Sequence, residues 1–205
     1  ISGFYHPTSG DIFYGDHKLN KASPHQVSIM GIARAFQNIE LFSGMTVLDN
    51  LMLARHKDLR YSLWNAVVYF GKASREESLN RQYVEEVIDF MELEPYRKRT
   101  VGSLSYGIQK RVEVARALTL APELLLLDEP MAGMNIEEKE DMVRFVIDIQ
   151  KERDATVVLV ENDLGVVMDI SDRIYVLDFG ELIGSGTPDE VVKIPKVIEA
   201  YIGEE

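Results

Sequence analysis

The 205 residues carry 34 acidic against 22 basic side chains, a formal net charge of −12, and no cysteine. That balance argues against a surface built to coat nucleic acid, and the missing thiols exclude disulfides and cysteine-ligated zinc. A hydrophobic content of 46% allows a sizeable core, yet no apolar run approaches the roughly 20 residues of a membrane span. The longest candidate, Leu63 to Phe70, is short and contains Asn65. Without a signal peptide at its start, the chain reads as an acidic cytosolic domain.

In chain order, Pro7, Gly10 and Gly15 punctuate short β-like pieces within the first twenty residues. Gly31 to Gln37 (GIARAFQ) is the next strand candidate. Arg75 to Met91 places Leu79, Tyr83, Val87 and Met91 at helical spacing, and Pro95 marks a break after it. Ser103 to Leu120 reads as a capped helix bearing Lys110, Arg111 and Arg116. Leu124 to Pro130 (LLLLDEP) follows, then an amphipathic helix from Glu137 to about Arg153 and a buried strand at Ala155 to Glu161. A helix at Leu164 to Ile170 leads to a strand at Arg173 to Leu177. The segment DFGELIGSGTP has hairpin chemistry, with Gly180, a short strand at Glu181 to Ile183, then Gly184 and Gly186, and a last helix is expected over Pro188 to Tyr201. The alternation of strand and helix from Leu120 onward predicts a parallel sheet with helical crossovers. The stretch from about Asn50 to Ala117 lacks strands and reads as a helical insertion.

The LLLLDEP segment poses a chemical question. A short apolar run bounded by breakers fits a strand buried on both faces, and such a strand carries no charge along its length. Asp128 and Glu129 therefore belong at its carboxyl end, where open α/β sheets bind ligands and where a cation would make paired acids tolerable. The same two acids could also merely open a solvated loop. Upstream stands LSYGIQKRVEVARAL, Leu104 to Leu118. Ser105 suits an N-cap and Gly107 allows close backbone approach. Together they read either as an ordinary cap or as an anion site at a helix start.

The signature-like LSYG segment, followed at this distance by an apolar strand ending in Asp-Glu, resembles the signature motif and Walker B motif of ATP-binding cassette (ABC) proteins. Further resemblances come in the family's order. Gln37 stands where the Q-loop glutamine belongs, Met131 to Asn135 (MAGMN) where the D-loop belongs, and Val157 to Asp163 (VVLVEND) at the switch-histidine strand. The likeness spans essentially the whole chain. It is finest to ATP-binding subunits of branched-chain amino-acid importers, through the LSYG form, Asn135 and the tail from Ile170.

This resemblance implies an α/β fold of the P-loop NTPase type, with a mostly parallel sheet, a β-rich N-terminal part and a helical subdomain. It implies one ATP-binding domain over 1–205, with the subdomain at 50–117 and a sheet core and tail at 118–205. Its cofactors would be ATP and Mg²⁺. Asp128 would hold the ion, with Gln37 sensing it, and Glu129 would deprotonate the attacking water. Asn162 would occupy the switch position. Ser105, Tyr106, Gly107, Gln109 and Asn135 would touch nucleotide. Partners would be a second cassette and transmembrane permease subunits, with no nucleic acid, and the protein would sit peripherally on the cytoplasmic face of the membrane.

Two departures accompany the resemblance. No GxxxxGK[ST] string, the loop that cradles phosphate through backbone N–H groups and a lysine, occurs in the 205 residues. The family places it just before a segment like the present first residues, so the first strand and P-loop are expected to be missing, and activity of the chain alone to be reduced or absent. The switch position holds Asn162 rather than histidine, and asparagine can donate a hydrogen bond but cannot become cationic. A silent cassette that only supplies its signature to a partner is the alternative. Tyr61 to Phe70 (YSLWNAVVYF) reads as a packed insertion helix or a membrane-protein contact.

Overall fold

The computed structural model describes residues 1–55 and 72–202; the Tyr61 to Phe70 segment lies outside the described residues. The chain divides into two units, residues 1–160 and 161–205.

The first unit opens with a two-stranded antiparallel ribbon, β1 (Phe13–Tyr14) and β2 (His17–Lys18), turned at Gly15. A short helix α1 (Pro24–Ile29) starts on a Ser23–Gln26 capping box with proline in its first turn. It leads into β3 (Ile32–Ala35). Helices alone then connect to the next strand among the described residues: α2 (Val47–Arg55), α3 (Lys72–Phe90) and α4 (Tyr106–Leu118), with two 3₁₀ turns at Glu94–Tyr96 and Val101–Ser103. The buried stripe of α3 is Val84, Val87 and Ile88, continued by Met91, while the predicted stripe member Leu79 stands 59% exposed.

Next come β4 (Leu124–Asp128), α5 (Ile136–Glu152) and β5 (Thr156–Val160). The strands β3, β4 and β5 form one parallel sheet in that order, with Ala35 beside Leu127 and Asp128 beside Val160. In β4, Leu125 and Leu127 are fully buried, on the same face as Ala33 and Ala35. Leu124 and Leu126 are only half-buried, against a cluster of Leu19, Ala22, Val27 and Ile32. The expected full burial of β5 is not what forms. Val158 and Val160 are 42% and 55% exposed on β5, the edge strand of the described three-stranded sheet. Leu125→Ala is expected to cost about 2–5 kcal/mol through the cavity it leaves, read as a lower urea midpoint at unchanged slope.

The second unit contains α6 (Leu164–Ile170), the hairpin β6 (Ile174–Asp178) and β7 (Glu181–Gly186), then α7 (Pro188–Val191) and α8 (Pro195–Ile202). Strand–helix alternation makes β6 a further parallel strand, whereas the hairpin chemistry of DFGELIGSGTP pairs it with the next strand. The hairpin is what forms: β6 pairs antiparallel with β7, Asp178 opposite Glu181, because the Phe179–Gly180 turn, positive φ at both positions, folds the chain straight back. The single last helix predicted over Pro188 to Tyr201 is two helices. Pro195 cannot donate to a preceding turn, so it starts a new helix rather than continuing the old one.

Candidate functional site

Parallel strands finish on one side of their sheet, so β3 and β4 deliver the residues behind them to a common edge. Gln37 follows β3 by two residues, Asp128 closes β4, and Glu129 comes next. These three predicted residues do come together. Gln37 Nε2 donates to Glu129 Oε2 at 2.7 Å. Asp128 Oδ2 pairs with Arg34 Nη2 at 2.5 Å, both side chains being less than one-third exposed. The same guanidinium donates to Ser2 Oγ at 3.1 Å and lies 4.8 Å from the Phe36 ring centroid. Arg34 was not singled out from sequence, although a lone arginine in a short β-strand was the available signal.

Glu129 has φ +46°, a left-handed conformation that a non-glycine residue adopts only under constraint. Its N–H donates to the carbonyl of Val160 at 2.9 Å, which ties the turn to β5. The turn thus lifts the carboxylate out of the strand at the sheet edge rather than letting it follow Asp128 along β4.

The signature segment starts α4. Ser105 occupies the N-cap position with extended backbone, but its hydroxyl makes no capping bond, contrary to the expected cap. Ser105 and Tyr106 are exposed at the helix tip, next to first-turn N–H groups that have no intrahelical acceptor. Gly107 is buried, and the close approach it allows is made by its own chain. A Cβ there would stand 2.3 Å from Glu138 Oε1. Gln109 turns back to donate to the Leu104 carbonyl at 2.9 Å, so its amide braces the segment entering the helix. Asn135 caps α5, its oxygen accepting from the Glu138 N–H at 2.9 Å while Glu138 accepts from the Asn135 N–H at 3.2 Å. Tyr106 lies against Gly133, whose missing Cβ makes room for the ring. The tip of α4 and the 131–135 loop therefore form one contiguous surface, held by local bonds absent from the sequence reading. Asn162 belongs to the second unit, beside Asp163, which caps α6 by accepting from the Val166 N–H.

One face of α4 carries three charges that sequence treated as an ordinary basic helix. Lys110 is 1% exposed and donates to the Gln37 carbonyl at 2.5 Å, with a longer 3.5 Å contact to the Glu129 carbonyl. Glu113 accepts from the Glu40 N–H at 3.1 Å, and Arg116 pairs with Glu113 at 3.3 Å and donates to the Glu40 carbonyl. Burial pushes the Glu113 carboxyl above the usual carboxylate range, against the pull of Arg116 and the Glu40 N–H. The legible signal was spacing. Lys110 and Glu113 fall at i and i+3 within the stripe that also contains Val114 and Ala117, so charge interrupts an apolar face.

Among the described residues no group of three or more acidic, histidine or cysteine side chains could cage a metal. Mg²⁺ keeps several waters and is held by one or two carboxylates plus phosphate oxygens, so a single Asp128 at the sheet edge fits that ion.

Residues 1–132 match the family model described as ABC transporter, and residues 181–205 match one described as branched-chain amino acid ATP-binding cassette transporter. The high-affinity branched-chain amino acid transport ATP-binding protein LivG of Escherichia coli is 36% identical over 204 residues, covering all of this chain and 80% of its own length. BraF of Pseudomonas aeruginosa, of the same description, is 35% identical with the same coverage. Among solved structures, a nucleotide-free ATP-binding cassette from an ABC transporter superposes with a TM-score of 0.82 at 29% identity. It covers 100% of this chain, which spans 81% of it. A dimeric bacterial ABC transporter cassette aligns with a TM-score of 0.73 at 25% identity, over 91% of this chain and 77% of its own.

Proposed function

We infer the function from one premise: this chain belongs to the ABC transporter family. Within it, the chain is an ATP-binding subunit that energises an importer. The relatives' names point to branched-chain amino acids or related small solutes as the cargo. We propose hydrolysis of ATP to ADP and phosphate at the edge where Gln37, Asp128 and Glu129 meet. The observation that carries this reading is the 2.7 Å bond between Gln37 Nε2 and Glu129 Oε2 beside Asp128.

In this reading Asp128 would hold Mg²⁺, which would supply charge neutralisation for the phosphate oxygens. Gln37 occupies one oxygen of Glu129 and orients the carboxylate. The other oxygen accepts the proton of the attacking water, the role of a general base. Phosphoryl transfer asks for positioning and charge stabilisation more than covalent chemistry, and these side chains supply both. Ser105 and the first-turn N–H groups of α4 are offered to the γ-phosphate held by a second cassette. Tyr106, Gly107 and Asn135 shape that surface, and Gln109 supports it from behind. The stretch 50–117, read from sequence as an insertion, is the subdomain we assign to permease docking, which would place the protein at the cytoplasmic membrane face. No described helix is long and apolar enough to cross a membrane. Phosphate release from Mg-ATP by the transporter assembled with this chain restored to carry a phosphate-cradling loop ahead of Ile1 tests the reading. It must be present, and it must collapse when Glu129 or Asp128 loses its charge.

Asn162 favours a second reading, a cassette that donates its helix tip but hydrolyses poorly. A neutral amide bonds a phosphate oxygen less strongly than an imidazolium, since charge-assisted hydrogen bonds are roughly twice as strong. In the same assay Asn162→His is expected to raise turnover about 5- to 10-fold, from a gain of roughly 1 kcal/mol. Unchanged turnover would remove Asn162 as the limiting residue.

A further inference from the structure

We propose that Lys110 is a positioning residue for the hydrolytic pair Gln37–Glu129. The proposal rests on the assignment of Glu129 as the base.

Lysine is almost never fully buried unless its charge is satisfied, yet Lys110 is 1% exposed. Its ammonium reaches the backbone carbonyls of Gln37 and Glu129, at 2.5 and 3.5 Å. These are the two residues whose side chains meet at 2.7 Å. One cation therefore ties together the main chains of both members of the pair. An ammonium suits this, being a compact point charge with three donors on a flexible stem. Glu129 needs such a tie. Its φ of +46° is a strained state that persists only where surroundings over-determine it. The Val160 carbonyl fixes its N–H, and Lys110 reaches its carbonyl, so the residue is gripped at both peptide groups. Further along α4, Glu113 and Arg116 grip Glu40 at its N–H and carbonyl. The segment from Gln37 to Glu40 is thus anchored over two turns of one helix. Both of these contacts go to backbone carbonyls, so Lys110 acts through where Gln37 and Glu129 stand.

Lys110→Met keeps the volume and removes the donors. In the assembled transporter it is expected to lower kcat for ATP about 100-fold, the cost of a misplacement of roughly 1 Å, with KM changed less than about 3-fold. Lys110→Gln, whose amide can still reach one carbonyl, is expected to recover about 10-fold of that loss. In a Gln37→Ala background, Lys110→Gln should add little further loss, because coupled residues are non-additive. Amide exchange over residues 36–40 of the full purified chain should quicken in both Lys110 variants. Retention of kcat within about 3-fold in Lys110→Met overturns the proposal, as does a loss that Lys110→Gln does not repair, or one that adds fully to Gln37→Ala. Where Lys110→Met does not assemble, Lys110→Gln and the Gln37→Ala cycle decide by the same criteria. Full activity in Glu129→Gln would instead overturn the base assignment itself, so the two failures are told apart.

Discussion

Glu129→Gln is expected to lower ATP turnover by the assembled transporter by about 10²- to 10⁴-fold, the usual contribution of a general base. The substitution is nearly isosteric, and glutamine faces the same left-handed backbone cost as glutamate, so the turn after β4 should hold. The Val160 carbonyl still receives the residue's N–H, and the Gln37 amide still finds an oxygen on the new side chain. Only the ability to accept a proton at neutral pH is removed. Binding of Mg-ATP should therefore survive, with KM within a few-fold of the parent while kcat falls, the signature of an interaction made in the transition state. Phosphate release measured against ATP concentration separates the two constants. Turnover above about one-tenth of the parent would show that another group takes the proton.

Asp128→Asn is expected to lower turnover by on the order of 10²-fold, because in the proposed reading Asp128 is the carboxylate that would hold the metal. Its distinguishing mark is the magnesium dependence. Half-saturation should move to higher Mg²⁺, whereas Glu129→Gln should leave it in place. A structural cost comes with it. Arg34 is less than one-third exposed and pairs with Asp128 at 2.5 Å, and an amide offers it one neutral acceptor in place of a carboxylate. A half-buried guanidinium without its anion is unfavourable, so a lowered melting temperature should accompany the kinetic defect. Half-saturation by Mg²⁺ that matches the parent would place the ion elsewhere.

Much of this site could be read along the chain. The apolar run ending in Asp128 and Glu129 announced a strand and its carboxyl edge, and GIARAFQ announced a strand running to Gln37, of which β3 forms only Ile32–Ala35 and leaves Gln37 two residues beyond. Both follow from a local rule, since charges are excluded from a buried strand and concentrate where it ends. The helix bearing the signature-like segment was legible from periodicity in the same way. Other features were not. Ser105 sits in the cap position without making the capping bond, and Asn135 spends its oxygen on Glu138. Gly107 makes room for a side chain of its own chain. The Asn135–Glu138 capping box was a local pattern left unread, whereas the approach of Glu138 to Gly107 depends on where α5 starts relative to α4, a distance no local pattern encodes. At β6 two local signals competed. Alternation of strand and helix predicts parallel pairing, but the hairpin chemistry around Gly180 prevailed, because the turn at Phe179 and Gly180 offered a nearer partner, β7.

From residues alone came the family likeness, the order of strands and helices, the acids at the strand end and the asparagine at position 162. All are properties of neighbours in sequence, set by hydrophobic period, breakers and charge placement. Three-dimensional packing alone decided which carboxylate meets Gln37, that Arg34 is the counter-ion of Asp128, and that a buried Lys110 spans two carbonyls 92 residues apart in the chain. An ammonium shut away from water must find acceptors wherever the fold puts them, and only the assembled sheet and helix specify where that is.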